Sequence, residues 1–482
     1  MKSINQILKF LDIQTLSQNN FEIESLSLDS RKCDAKSAFI ALKGLSNDGN
    51  KYIDSVLAKG VSLVLTDSHE FEDHKCVFYI QNLKDKLSNL AKWFYDYKKP
   101  QNIVGITGTN GKTSISSYIA QLQKLLDQKS LLLGTNGNGI YPDLKESTHT
   151  TLDILSLYQT ISYYKNYQNL VMEVSSHSLD QKRTEGLDFD IAVFSNLSHD
   201  HLDYHKTMDN YFEAKAKLFQ FKSLKKAVIN IDDEYGLKLC KVSNCEIVTV
   251  SLKSKKADIY IASKSIENMQ TSFDLYISQK YMGTYQTSLV GEFNLMNLGL
   301  SLAALDDSST REQLLENISK LKPVKGRMEV IALVNGAKII IDYAHTPDAL
   351  EKALQTLANY HLNNLWCIFG CGGNRDTTKR PIMAQIAEEY ANKVVVTEDN
   401  NRFENIESIF DDIKKGFRHP ERHTFIHSRE KAIKYTIENS KANDVILLAG
   451  KGHECYLDKN GIKEYFDERE VIAKYKNTTP ST

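Results

Sequence analysis

The segment Gly108-Thr109-Asn110-Gly111-Lys112-Thr113 packs two glycines, a lysine and a hydroxyl into six residues, a combination suited to binding phosphate. Glycines let backbone N–H groups curl around phosphate oxygens, and a helix that starts there adds positive potential. Lys112 brings a charge for the outer phosphates, and Thr113 offers a hydroxyl to Mg2+. The usual spacing has a further glycine five residues before Gly111, where this chain carries Ile106. The bland alternative is a glycine turn capping a helix, with a solvated lysine. The flanks favour phosphate: Ile103 to Thr107 reads as a strand, and Ile115, Tyr118, Ile119, Leu122, Leu125 and Leu126 recur at helical spacing.

Further along, Val171-Met172-Glu173-Val174-Ser175-Ser176-His177 begins as an apolar strand. A carboxylate leaving such a strand can hold Mg2+, a hard cation; an ordinary ion-pair role for Glu173 is an equal reading. His199, His201 and His205 fall within one short segment, which suggests zinc, yet their spacing fits no common zinc signature and no cysteine joins them. One histidine assisting Mg2+, with the others as hydrogen-bonding partners, fits better. Lys215, between Tyr211 and Phe219, reads on composition only as a helix lysine.

These groups need a scaffold. A chain of 482 residues exceeds one ordinary core and predicts two to four domains. With 41% hydrophobic and 25% charged residues it has a soluble globular composition. The net charge of -1 gives no reason to expect a nucleic-acid or anionic-membrane partner. Met1 to Lys9 lacks the apolar run of a signal peptide, and no stretch approaches the ~20 apolar residues of a membrane span. The seven cysteines are scattered without a Cys-x-x-Cys; they are expected to be buried thiols in a reducing cytoplasm.

Alternating strand-like and helix-like segments predict an α/β protein. Residues 1–98 read as a small mixed α/β domain with strands near Ile23–Leu28 and Ala38–Leu42, closed by a linker at Lys98-Lys99-Pro100-Gln101-Asn102. Residues 99–323 form a central domain of P-loop type with a mostly parallel sheet. Residues 324–482 hold four short apolar runs, Ala337–Asp342, Leu365–Phe369, Lys393–Thr397 and Asp444–Ala449, each followed by a polar or glycine-bearing turn. They predict a parallel, Rossmann-like sheet with functional loops at the strand C-terminal ends. Thr346 reads as a helix N-cap, with Pro347 in the first turn.

Taken in order, Gly108–Thr113, Met172–His177, Asn196–His205, Ala214-Lys215, Asp342-Tyr343-Ala344-His345-Thr346-Pro347-Asp348, Phe369–Gly373 and Ala449-Gly450-Lys451-Gly452-His453-Glu454 resemble the Mur ligase family. The resemblance covers essentially the whole chain. It implies a cytoplasmic ATP-dependent amide ligase of peptidoglycan precursor synthesis, a monomer with Mg2+ as cofactor. Its three domains would take a UDP sugar, ATP and an incoming amino acid. By motif, Gly108, Thr109, Asn110, Gly111, Lys112 and Thr113 would serve ATP, and Thr113 also Mg2+. Glu173 and His201 would hold the metal. Lys215 matches a lysine carried as a carbamate, which turns a cation into an anionic metal ligand. CO2 adds only to a neutral amine, so a depressed pKa is expected. Lys217 is the register alternative. Asn294 and Asn297 resemble a nucleotide-domain motif, and Arg327, Asp342 and His345 resemble third-domain residues that reach back to ATP. For a UDP-N-acetylmuramoyl dipeptide the resemblance points to Leu28 and Ser30, to the loop at Leu45, Ser46 and Asn47, and to Thr150, Thr151, Ser175, Gln181 and Arg183. His149 stands where the family usually has asparagine.

The incoming amine is read from Asp399-Asn400-Asn401-Arg402, similar to the Asp-Asn-Pro-Arg of family members that add meso-diaminopimelate, with asparagine replacing proline. A guanidinium grips the extra carboxylate of diaminopimelate through two parallel hydrogen bonds. Lysine would leave it unpaired, at about 1–3 kcal/mol. Arg375 is a second candidate clamp, and Gly450 and Glu454 match head-group positions. A lysine-adding or folylpolyglutamate-type ligase is the alternative.

Overall fold

A computed structural model describes residues 1–14, 17, 20–44, 47–71, 74–147, 149–267, 269–358 and 363–476. Among the described residues three sheets of four or more strands follow one another along the chain, beside two two-stranded ones. The first is four-stranded and parallel, from Ser25–Ser27, Ser37–Ala41, Leu63–Thr66 and Val77–Tyr79. The second has ten strands, and its middle carries the phosphate loop. There Asn102–Thr107 lies between Asn169–Glu173 and Ile191–Phe194, all parallel, with Glu173 level with Ile106 and Phe194 with Thr107. The loops leaving these three strands therefore emerge side by side at the carboxyl edge, where open α/β sheets bind ligands.

The apolar runs fold this way because both sheet faces are covered. Ile103, Leu170 and Ala192 face one core with Leu155, Leu157 and Tyr158 of helix Ile154–Tyr163. Val104, Val171 and Val193 face the other, with helices Lys112–Leu125 and Glu292–Leu305. The first core also holds Ile4, Ile7, Leu26 and Leu63, so the N-terminal region is joined to the centre by shared apolar packing.

The third sheet has six strands. The four expected ones appear as Lys338–Asp342, Leu365–Phe369, Lys393–Val396 and Val445–Ala449, all parallel, with Val445–Ala449 between the first two. Helix Pro347–Ala358 begins at the expected proline, and Ala349 N–H donates to Thr346 Oγ1 at 3.4 Å.

Several features differ from expectation. The Ile23–Leu28 run splits into Glu22–Ile23, antiparallel to Lys2–Ser3, and Ser25–Ser27, parallel to Ser37–Ala41, so one segment serves two sheets. An antiparallel extension, Ile259–Glu267, Gln270–Ile277 and Lys280–Thr287, widens the central sheet, and a hairpin, Tyr456–Lys459 and Ile462–Tyr465, follows the last parallel strand. All seven cysteines are free, but only Cys33, Cys367 and Cys371 are buried; Cys76, Cys245 and Cys455 in loops and Cys240 in helix Glu234–Val242 are half-buried. Among the described residues no helix is long and apolar enough to cross a membrane.

Candidate functional site

The glycines of the phosphate loop are where no side chain fits. Gly111 has φ +88°, and a Cβ there would lie 2.6 Å from Asn297 Oδ1. Gly108 has φ +150°, and a Cβ would lie 1.9 Å from Ser195 Oγ. Asn196, after strand Ile191–Phe194, clamps the loop: its carbonyl accepts from Thr109 N–H at 2.8 Å and its Oδ1 from Asn110 N–H at 3.0 Å. Lys112 curls back, its Nζ donating to the carbonyls of Gly108 and Thr109, both at 2.8 Å. Asn297 thus borders the loop, whereas Asn294 sits behind it, bonded to Tyr118 and to Val290 O.

Glu173 is buried beside this loop. Its Oε2 accepts from Thr113 Oγ1 and Thr135 Oγ1, both at 3.1 Å, and its Oε1 from Thr135 N–H at 2.8 Å. Gly134 makes room: a Cβ there would fall 2.3 Å from Oε1. These oxygens suit a hard cation. Among the described residues no three His, Cys, Asp or Glu side chains converge as a metal cage.

Lys215, on helix Met208–Ala216, is 1% exposed, and its Nζ donates to Gly108 O at 2.9 Å, 4.6 Å above the Tyr211 ring. Burial first, and then the Lys112 charge, hold its amine well below the ordinary lysine value, against the pull of Asp200. The neutral amine expected from the carbamate argument is thus the state this environment favours. Lys217, the register alternative, is half-exposed and paired with Asp180 at 2.8 Å. His201, in the left-handed region at φ 53°, faces the His177 ring at 4.9 Å and Asp200 at 3.5 Å; burial lowers its pKa while Asp200 opposes. His205 bonds Ser176 Oγ at 2.9 Å, and His199 is exposed.

The third sheet closes the phosphate side. Arg327 reaches Thr113 Oγ1 with Nη2 at 3.4 Å and stacks 4.5 Å over Tyr343. Asp342 accepts from Met328 and Ala344 N–H at 2.8 and 2.9 Å, which fixes the turn that carries Arg327; burial lifts its pKa against Arg327. His345 is exposed, its Nδ1 2.7 Å from Tyr343 O. Asp348 was not among the expected site residues. Its Oδ2 accepts from Asn110 Nδ2 of the phosphate loop at 3.2 Å and from Ser198 Oγ at 3.3 Å. Its place in the Asp342–Asp348 motif was the available signal.

On the opposite flank, Thr151 Oγ1 donates to Glu173 O at 2.9 Å and accepts from Ser175 N–H at 3.1 Å. Arg183 donates to Thr151 O at 3.1 Å and to Gln181 Oε1 at 2.9 and 2.6 Å, and Thr150 Oγ1 accepts from Thr135 at 3.2 Å. Thr150, Thr151, Ser175, Gln181 and Arg183 therefore form one network running up to Glu173. Leu28 and Ser30 lie at the end of strand Ser25–Ser27, and Asn47 accepts from Tyr52 at 3.3 Å. Leu45 and Ser46 lie outside the described residues.

The amine candidates gather where strands Lys393–Val396 and Val445–Ala449 end. Asn400 Nδ2 donates to Glu454 Oε2 at 2.9 Å. Gly450, at φ +111°, faces Asp399, whose Oδ2 would sit 2.8 Å from a Cβ. Arg402 donates through Nη1 to Gly373 O at 2.8 Å. A Cβ on Gly372 would be 2.9 Å from Arg402 Nη1 and 3.9 Å from Arg375 Cγ, so both arginines border that glycine; Arg375 is exposed. Asn401, at the proline position of the motif, keeps a buried Oδ1 with no hydrogen-bond partner.

Three segments match Mur ligase descriptions: residues 22–96 the Mur ligase family catalytic domain, 106–305 the Mur ligase middle domain and 326–452 the Mur ligase glutamate ligase domain. The chain is 41% identical to the UDP-N-acetylmuramoyl-L-alanyl-D-glutamate–2,6-diaminopimelate ligase of Haemophilus influenzae, over 95% of this chain and 97% of that protein. It is 40% identical to the ligase of the same name from Buchnera aphidicola, over 95% and 96%. A solved structure of a ligase of that name aligns with a TM-score of 0.67 at 37% identity, covering 97% of this chain and 98% of the other.

Proposed function

From the premise that this chain belongs to the Mur ligase family, we infer that it is an ATP-dependent ligase joining 2,6-diaminopimelate to UDP-N-acetylmuramoyl-L-alanyl-D-glutamate in peptidoglycan precursor synthesis. One observation carries the chemistry. The phosphate loop, the buried carboxylate of Glu173 and the buried amine of Lys215 meet at one sheet edge, which Arg327 closes from the third sheet. Residues 1–98 bind the UDP sugar, 99–323 ATP and 324–482 the amino acid. Leu28, Ser30, Leu45, Ser46 and Asn47 serve the nucleotide sugar, and the Thr151–Arg183 network its peptide.

The chemistry runs in two transfers. A γ-carboxylate oxygen of the D-glutamyl residue attacks the γ-phosphorus of ATP, the bond to the β–γ bridging oxygen breaks, and ADP leaves an acyl phosphate. The neutral amine of diaminopimelate then attacks the acyl carbon, phosphate departs, and the nitrogen loses one proton to give the amide. Lys112 swings from its own loop carbonyls to the transferring phosphoryl group, and Arg327 adds charge from the far side. Mg2+, when bound, offsets phosphate charge as a Lewis acid; Thr113, Glu173, His201 and Lys215 in carbamate form would hold it. Arg402 clamps the distal carboxylate of the amine, while Asp399, Asn400, Gly450 and Glu454 take its head group.

The test is release of ADP with the UDP-muramoyl dipeptide and a panel of amines. Turnover is expected with meso-diaminopimelate. Turnover with lysine and none with diaminopimelate would overturn the choice of amine.

A further inference from the structure

Lys451 has no role in the scheme above, yet it lies under the amine site. Its side chain is fully buried. Its Nζ lies 2.9 Å from Glu454 Oε2, 3.1 Å from Asn400 Oδ1 and 3.8 Å from Asp399 Oδ1, with the Tyr456 ring centre at 4.9 Å. Three side chains expected to hold the amino acid thus converge on one ammonium that cannot reach water.

The convergence orients them. Glu454 Oε2 is saturated by Lys451 and by Asn400 Nδ2, so the second oxygen, 3.5 Å from the Tyr343 hydroxyl, is the one left to accept. Asn400 Oδ1 is taken by Lys451 and by Asp458 N–H at 2.9 Å. Asp399 Oδ2 looks onto Gly450, where the missing side chain leaves a space that a Cβ would fill at 2.8 Å. Two carboxylates and one ammonium leave one negative charge in the cluster. That suits a single substrate ammonium.

We propose that Lys451 is a positioning residue for the incoming amino acid, offsetting one carboxylate, fixing Asn400 against Glu454 and thereby aiming Glu454 at the substrate's ammonium. It acts through those side chains and not on the reacting atoms. The proposal rests on the amine site argued above.

Steady-state kinetics of Lys451→Met and Lys451→Arg against each substrate test it. Lys451→Met is expected to raise KM for diaminopimelate at least tenfold, with KM for ATP and for the nucleotide sugar changed less than twofold. Lys451→Arg, which keeps the charge, is expected to recover part of that loss. Should Lys451→Met not fold, Lys451→Gln, which keeps a hydrogen-bond donor at this position but not the charge, takes its place with the same expected split. The proposal is overturned if KM for the amine is unchanged, or if all three KM values rise together as in general loosening. Failure of the underlying function would look different, since the unaltered enzyme would then not turn over diaminopimelate at all.

Discussion

Lys112 and Lys215 donate to the same acceptor: the carbonyl oxygen of Gly108 receives both Nζ atoms, at 2.8 and 2.9 Å. Two ammonium groups sharing one carbonyl repel each other, and among the described residues no carboxylate bonds either amine. Burial lowers the pKa of both, most strongly for Lys215, where the Lys112 charge adds to it. A neutral Lys215 amine relieves the repulsion and is the form that attacks CO2.

Carboxylation of Lys215 therefore predicts that stripping bicarbonate from buffer and enzyme lowers activity and that adding it back restores activity. With 13C-labelled bicarbonate, a carbamate resonance should appear and vanish in Lys215→Ala. That variant should lose at least a hundredfold in kcat, about 3 kcal/mol of barrier. Lys217→Ala, which breaks an exposed pair with Asp180, should stay within twofold. Equal losses in both variants would refute the register.

Glu173 predicts a metal-dependent defect. Glu173→Gln keeps the shape and one oxygen for the Thr135 N–H, but removes the charge and puts an NH2 donor in place of the second acceptor oxygen. It should raise the Mg2+ concentration needed for half-maximal activity by tenfold or more, leaving thermal stability nearly intact. A Mg2+ titration that matches the unaltered enzyme would place the metal elsewhere.

The third sheet touches the phosphate side through polar contacts, Asp348 to Asn110 and Ser198, and Arg327 to Thr113. The N-terminal region shares an apolar core with the centre, and Met269 and Val290 of the centre also pack into the core of the third sheet, with Phe293 against them. Asp348→Ala removes two of the polar contacts, each worth about 1 kcal/mol. It should raise KM for ATP roughly tenfold with little change in melting temperature. A large fall in melting temperature without a change in KM would make Asp348 a structural support only.

Much of this site was legible in the sequence because chemistry that depends on backbone shape leaves local signatures. Gly108, Gly111, Gly134 and Gly450 each lie where a Cβ would collide, and three of them stand in or beside recognisable motifs. Lys215 was readable only through family resemblance, because its meaning comes from Gly108 and Tyr211, far away in the chain. Lys451 and Asp348 stand within motifs, yet their roles are not legible there, because burial and cross-sheet contact decide them. The antiparallel extension at 259–287 was missed for another reason: its alternating pattern is short-range, but its partners are set by which edge of the central sheet stands open.

Arg402 predicts the choice of amine. Arg402→Ala should weaken diaminopimelate by about 1–3 kcal/mol, roughly five- to 150-fold in KM, while narrowing the preference over lysine. Arg375→Ala should do less, since Arg375 is exposed and only borders the same glycine. If Arg375→Ala proves the more damaging, the clamp is Arg375. Asn401→Pro, which restores the motif and removes an unpaired buried oxygen, should leave selectivity unchanged or sharpen it.

His205 predicts the acid limb of stability. It is buried, bonded to Ser176 and stacked on Tyr211 with ring centres 5.0 Å apart. Burial, followed by the neighbouring His177, pushes its pKa down to about 4, against the pull of Asp180. Its ordinary value is 6.5, so between pH 6.5 and 4 the unfolded chain takes up a proton that the folded chain refuses. Stability from this group is thus full above 6.5, falls as pH drops through the window, and levels off below about 4. His205→Gln, which never charges, should lose less stability between pH 7.5 and 5, by on the order of 1 kcal/mol in urea unfolding. Parallel pH profiles for the two proteins would show that His205 is protonated in the folded state at pH 5.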